Sequence, residues 1–129
     1  MEIKTHERIN QALCGSPVEV GESRSEVRFD CGEDMAADAS GLIHGGFIFG
    51  LADYAAMLAV NHPNVVLGAA ETRFLKPSRI GDVLIAKAQD QTPQERKHIV
   101  HVDVLCGEDV VFSGTFTCFV TKEHVLAGT

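Results

Sequence analysis

A chain of 129 residues, 45% hydrophobic and 22% charged, is long enough for one domain with a real core and has the make-up of an ordinary globular protein. Acidic residues outnumber basic ones 18 to 11, and a net charge of -7 excludes a general nucleic-acid binder, which needs a basic footprint. It does not exclude a small anionic ligand, because a local basic cluster can hold one.

No charged-then-apolar leader opens the chain, since Glu2, Lys4, Glu7 and Arg8 come too early and too mixed for a signal peptide. Leu42 to Val60 approaches a membrane span in length. The glycine pair, Gly50 and Asp53 count against that reading, and the flanks lack Lys or Arg. A soluble, cytoplasmic, single domain over residues 1–129 is expected, with no membrane and no nucleic-acid partner. Cys14, Cys31, Cys106 and Cys118 show no metal-site spacing and read as reduced, mostly buried thiols.

Taken in order, Ile3 to Leu13 carries apolar residues at Ile3, Ile9, Ala12 and Leu13 before Gly15, and reads as a short, weakly amphipathic helix. Val18 and Val20 alternate, and Val27, Phe29 and Cys31 alternate on the opposite parity. A bulge or break around Gly21 is expected. Cys31 to Ile43 is small and acidic, the main loop of the chain.

Between Asp38 and Glu71 the only Asp, Glu, Lys or Arg is Asp53. From Gly46 to Val60 apolar residues cover every angle of a 3.6-residue period, which predicts a helix buried on all sides and stopped by Asn61-His62-Pro63. A lone carboxylate in such a helix finds partners, is neutralised, or serves chemistry. Strands are predicted at Val65–Leu75, Val83–Gln89, His98–Leu105 and Val110–Val120, with a hairpin turn at Cys106-Gly107-Glu108-Asp109. Strand alternation puts His98 and His101 on opposite faces, which argues against a shared metal. One apolar helix beside one antiparallel sheet must be wrapped by that sheet.

His44-Gly45-Gly46, four residues, Leu51, one residue and Asp53 resembles the helix-start motif of hotdog-fold acyl-CoA thioesterases. The nearest clade contains the phenylacetyl-CoA and hydroxybenzoyl-CoA enzymes. Phe74-Leu75-Lys76-Pro77, followed by Gly81-Asp82, resembles the strand of that clade that ends in an aromatic, an aliphatic, a basic residue and proline. The likeness covers roughly residues 16 to 121. It implies an α+β hotdog fold, paired into homodimers that can pair again, with two active sites at the interface. It implies a coenzyme A thioester as substrate, with no further cofactor and no metal. Asp53 would act on the thioester as general base or nucleophile, and the Gly45 amide would hold the carbonyl oxygen.

Asp38 sits where many members of the clade carry an Asn that touches the thioester or water, so it reads either as a site residue or as a plain loop residue. Leu67 takes the place of a Ser or Thr. His44 either orients substrate or bonds the loop backbone near the helix start. Gly46, Phe74, Lys76, Pro77 and Arg79 are the implied substrate contacts. Arg73, Lys76 and Arg79 form the densest basic cluster, either for coenzyme A phosphates or as a solvated strand end.

The chemistry fits these residue types. Amides at a helix N-terminus are unpaired and sit at the positive pole, where developing oxyanion charge is stabilised. A carboxylate among apolar groups has a raised pKa and suits proton abstraction. Gly45 and Asp53, eight residues apart, are separated by roughly 12 Å along one helix, too far for both to serve one carbonyl. If both act in one site, they must come from different subunits. Two other readings stand beside the thioesterase: a non-catalytic acyl-CoA-binding hotdog protein, and a hydroxyacyl-CoA dehydratase. The dehydratase pairs a His with a carboxylate in motifs not seen here.

Overall fold

The computed structural model describes Met1–Thr129, with α1 at Gln11–Cys14, β1 at Ser16–Gly21, β2 at Arg24–Asp30 and α2 at Gly45–Val60. Strands β3 (Val65–Phe74), β4 (Val83–Asp90), β5 (Lys97–Cys106) and β6 (Asp109–Val120) follow. They form one antiparallel six-stranded sheet in the order β1-β2-β4-β5-β6-β3. α2 packs on its concave face, chiefly against β4, β2 and β5. This is the hotdog arrangement.

The alternation of each strand decides which side meets the helix. Val27 and Phe29 of β2, Leu84, Ala86 and Ala88 of β4, Val100, Val102 and Val104 of β5, and Phe112, Phe116 and Cys118 of β6 all point inward and are buried. Leu51, Ala52, Tyr54, Ala55, Ala56, Met57, Leu58 and Ala59 of α2 fill the space between. Each large side chain so buried contributes about 1.5–3 kcal/mol, which is why the helix carries almost no polar residue. Ser25 Oγ donates to the Ala55 carbonyl at 2.6 Å and fastens β2 to the middle of α2. The helix ends as its sequence directs, with Asn61 left-handed and its amide on the Met57 carbonyl at 2.8 Å.

Two expectations need correction, and a third, the break at Gly21, takes a definite form. The N-terminal helix is only Gln11–Cys14, capped by Asn10, because His6 adopts φ 52 and interrupts any longer run. Ile3 and Ile9 pack on the core without helical spacing. The parity change at Gly21 is a hairpin, with Gly21 paired to Arg24 across Glu22-Ser23 and Ser23 at φ 62, while the bulge in β1 lies earlier, between Pro17 and Glu19. The Cys31–Ile43 loop has internal order: a 3-10 turn at Glu33–Met35 and a bridge between Ala36 and Ile43.

A fourth difference matters more. α2 is not covered on all sides. A Cβ built on Gly50 would meet nothing within 4 Å, and Gly46, Gly50 and Asp53 stand at i, i+4 and i+7 on one face. The sheet wraps the rest of the helix and leaves this strip without a covering element.

Candidate functional site

The site is built from both ends of that strip. At the N-terminal end His44 is the extended residue before the helix, and its side chain caps nothing. The first amide of the helix with a partner is Phe47, bonded to the His44 carbonyl at 3.1 Å. The amides of Gly45 and Gly46 therefore stand free at the positive pole of a 16-residue helix.

Two aromatic rings lie over these glycines. A Cβ on Gly45 would come within 3.1 Å of Phe74, and one on Gly46 within 3.0 Å of the His44 ring. A side chain at either place would have to push its ring aside by a few tenths of an ångström. Phe74 is held by Phe112, edge-on, with centroids 5.0 Å apart and planes at 78°. His44 is exposed, its ring set edge-on to Phe47; its backbone amide, not its ring, ties the loop by donating to the Met35 carbonyl at 2.9 Å.

Beside Gly45 opens a cavity of about 220 Å³, walled by Ile43, Ile48 and Val111 on one side and by Phe74, Lys76 and Pro77 on the other. The fold thus brings the His44–Gly46 start and the Phe74–Pro77 segment together, although they lie far apart in the chain. The bridge between Leu42 and Arg79 does this, with the Ile43 amide donating to the Ser78 carbonyl at 2.9 Å. Leu75 and Lys76 are fixed in turn by their amides on the Val111 carbonyl.

At the other end of the strip, Asp53 is half-buried, and its Oδ1 is buried without a hydrogen-bond partner. Burial alone pushes its pKa up from 3.8 to about 6. The Asp53 charge also adds to the burial that raises the thiols of Cys14 and Cys118, the latter to about 12. Neither cysteine is a thiolate at neutral pH, which removes both as nucleophiles.

Of the remaining candidates, Lys76 borders the cavity, and Asp38, Arg79 and Arg73 fall outside it. Asp38 is exposed, and its carboxylate accepts from the Ser40 amide at 2.9 Å and from the Ser40 hydroxyl, bonds that hold its pKa below the ordinary value. It closes a turn of the loop before α2. Lys76 reaches Asp109 at 3.2 Å, both exposed. Arg79 forms no ion pair, and its backbone is held by the Asp82 carboxylate, which accepts from its amide at 2.9 Å. Arg73 leaves the cluster altogether: it lines a hollow on the outer sheet face with Glu71, His101 and Ser113, because residues 73 and 74 point to opposite faces.

His98 and His101 do occupy opposite faces: His98 is buried against Asp90, and His101 sits outside against Asp103 at 3.0 Å. Asp90 went unremarked in the sequence. The signal was present, since Leu84, Ala86, Ala88 and Asp90 share the inward parity of β4.

No helix is long and apolar enough to cross a membrane. Residues 40–113 match the thioesterase superfamily. Among solved structures, an uncharacterised Pyrococcus horikoshii protein is 49% identical, with a TM-score of 0.96 over 98% of this chain and 97% of that one. A variant of the phenylacetic acid degradation protein PaaI from Thermus thermophilus is 26% identical, with a TM-score of 0.78 over 86% and 96%. Among curated proteins, the methylthioribose-1-phosphate isomerase of Aquifex aeolicus is 53% identical over 90% of this chain but only 25% of its own length. The transcription factor FapR of Caldanaerobacter subterraneus is 29% identical over 76% of this chain and 49% of its own. The chain thus spans a quarter and about half of the length of these two curated relatives. A helix opening on bare glycine amides, wrapped by a sheet and matched across most of that stretch, places the chain in the thioesterase superfamily.

Proposed function

We propose that the protein is an acyl-CoA thioester hydrolase acting as a homodimer, with Asp53 of one subunit facing the Gly45 amide of the other. The observation that carries this is the strip on α2: a buried carboxylate oxygen without a partner, on a helix face the protomer leaves open, with free amides roughly 12 Å away along the axis. A partner helix running antiparallel across the strip closes that gap. Ionised Asp53 takes a proton from water as the water oxygen bonds to the thioester carbon. The Gly45 amide donates to the developing oxyanion, and collapse expels the coenzyme A thiolate, which recovers the proton from Asp53. In the nucleophilic variant the carboxylate attacks the thioester carbon and expels the coenzyme A thiolate, and water then cleaves the resulting anhydride to the free acid and Asp53.

The cavity beside Gly45 takes the acyl end, against Phe74, Pro77 and Ile48, and its mixed walls do not choose between aryl and alkyl groups. Gly46 gives the substrate room, His44 borders it, and Lys76 and Arg79 meet the coenzyme A phosphates. Asp38 holds the loop that positions His44.

A panel of acyl-CoAs with a thiol reagent tests this directly. Release of coenzyme A is expected for at least one member, and Asp53→Asn should lose about 100- to 10,000-fold in rate while keeping its fold. Undiminished hydrolysis by that variant would remove Asp53 from the mechanism. A second reading, acyl-CoA binding without turnover, is favoured by the likeness to FapR and by Leu67 standing in β3 where the clade carries a hydroxyl. Saturable binding of the same panel with no thiol released would select it.

A further inference from the structure

Five polar or charged residues are buried in this fold, and four of them find partners within the chain. The Thr5 hydroxyl shares a hydrogen bond with His6 Nδ1 at 2.7 Å, and Ser25 Oγ donates to the Ala55 carbonyl. Asp90 and His98 hold one another at 2.7 Å. Ser78 is the exception: it is 4% exposed, and its hydroxyl has no hydrogen-bond partner in the chain. The one side-chain polar atom sealed from water without a partner is Asp53 Oδ1, so Ser78 Oγ keeps a window. That window is the cavity beside Gly45, whose wall Ser78 helps to form.

The hydroxyl cannot withdraw. Pro77 stiffens the chain before it, and the Ser78 carbonyl accepts from the Ile43 amide at 2.9 Å. The Leu42–Arg79 bridge follows, with the Arg79 amide on the Asp82 carboxylate at 2.9 Å. With the backbone tied on both sides, only rotation about Cα–Cβ is left to the side chain. Most of the remaining wall is apolar, and Lys76 is drawn to exposed Asp109 at 3.2 Å. Ser78 is therefore the neutral hydrogen-bonding side chain of a wall made chiefly of Ile43, Ile48, Phe74 and Val111.

A plain hydrocarbon acyl group filling this cavity would cover Ser78 Oγ and leave it with neither water nor partner, which is unfavourable. An oxygen on the acyl group restores the bond. Because a serine hydroxyl both donates and accepts, a hydroxyl or a keto oxygen fits equally. A carboxylate would instead bring a charge against apolar walls. We infer that Ser78 selects the acyl group, and that the cavity takes a chain or ring bearing a neutral oxygen substituent bonded to Ser78 Oγ while the thioester carbonyl lies on the Gly45 amide. This rests on the hydrolase reading in taking the cavity as the acyl site. The walls do not tell ring from chain; Ser78 tells oxygenated from plain.

Hexanoyl-CoA and phenylacetyl-CoA are each compared with their singly hydroxylated isomers, by calorimetry on the Asp53→Asn protein and by thiol release from the wild type. At least one isomer should bind about tenfold tighter than its parent. Ser78→Ala removes no bond made within the chain and should keep its melting temperature. In the Asp53→Asn background it is expected to weaken that isomer, strengthen the parent and bring their ratio near one. If Ser78→Ala does not fold, Ser78→Cys, of similar shape but a weaker donor, takes its place. The inference is overturned if no isomer outbinds its parent or if the ratio survives loss of the hydroxyl. It is also overturned if parent and isomers weaken alike, which would put the hydroxyl on the coenzyme A arm. Thiol release separates the two readings. A Ser78-dependent preference in binding, with no thiol from the wild type, removes the hydrolase and keeps the selection by Ser78; hydrolysis without preference does the reverse.

Discussion

A carboxyl held near a pKa of 6 by burial keeps its proton further up the pH scale than the same group in the unfolded chain, at 3.8. Between those values the folded protein binds more protons than the unfolded one, so stability falls as pH rises through that window. Above it, ionised Asp53 costs the fold on the order of 3 kcal/mol. Asp53→Asn should therefore raise the melting temperature at about pH 7.5 and leave it nearly unchanged near pH 3, where both states are protonated; calorimetry at the two pH values checks the sign. Activity runs the other way. The ionised form is the one that can accept a proton, so the hydrolysis rate should fall about tenfold per pH unit below about 6, an acid limb that a pH-rate profile will show. At this scale the chain was partly readable. Asp53 stood out because no other charge occurs near it in sequence. Phe74 lying on Gly45 could not be read, because that contact depends on how a strand end meets a helix start. Asp90 could be read only by carrying the β4 alternation one step past its last apolar residue.

Elements built on hydrophobic period were legible to within a residue or two, since burial on one sheet face enforces strict alternation. Those whose form depends on a single backbone angle were read only in part: the short N-terminal helix was drawn too long because His6 sits at positive φ, and the break at Gly21 was expected but not its form as a hairpin through Ser23 at positive φ. For α2 the period was right and the covering incomplete. An even spread of apolar residues predicts full burial, yet it cannot say whether sheet or partner supplies each wall. Gly50 separates the two. Replacing it with Leu meets open space in the protomer and favours helix by up to about 1 kcal/mol, so the fold should persist. If a second helix covers the strip, Gly50→Leu should yield a folded monomer without hydrolytic activity, which light scattering and the thiol assay together will establish. A dimeric, active variant would place the partner elsewhere.

For the whole molecule, charge sets up a competition. On the proposed function, a net charge of -7 would repel an anionic thioester at long range, while Lys76 and Arg79 would attract it locally. Salt screens exposed charges beyond about 8 Å first, but direct phosphate contacts also weaken and dominate affinity. KM should therefore rise with salt, and Arg79→Ala should raise it about three- to tenfold at low salt and flatten the dependence with kcat unchanged. Arg79 is the sharper test because Lys76 already has Asp109 beside it. The fold-level outline, a sheet round one helix, followed from composition and order: a single apolar helix among amphipathic strands has nowhere else to go. The strand order β1-β2-β4-β5-β6-β3 could not be read that way, since alternation says which face is inward and nothing about neighbours.

That order has a consequence during synthesis. β2 and β3 flank α2 in the chain, yet three strands lie between them in the sheet, and β3 hydrogen-bonds only to β6, the last strand made. The helix finds β2, β4 and β5 before that last strand is made, but the ten-residue β3 has no strand to pair with until β6 emerges. A ribosome that stalls before Asp109 therefore holds not a smaller version of this protein but one with a long strand left unpaired, the kind of edge that chaperones recognise.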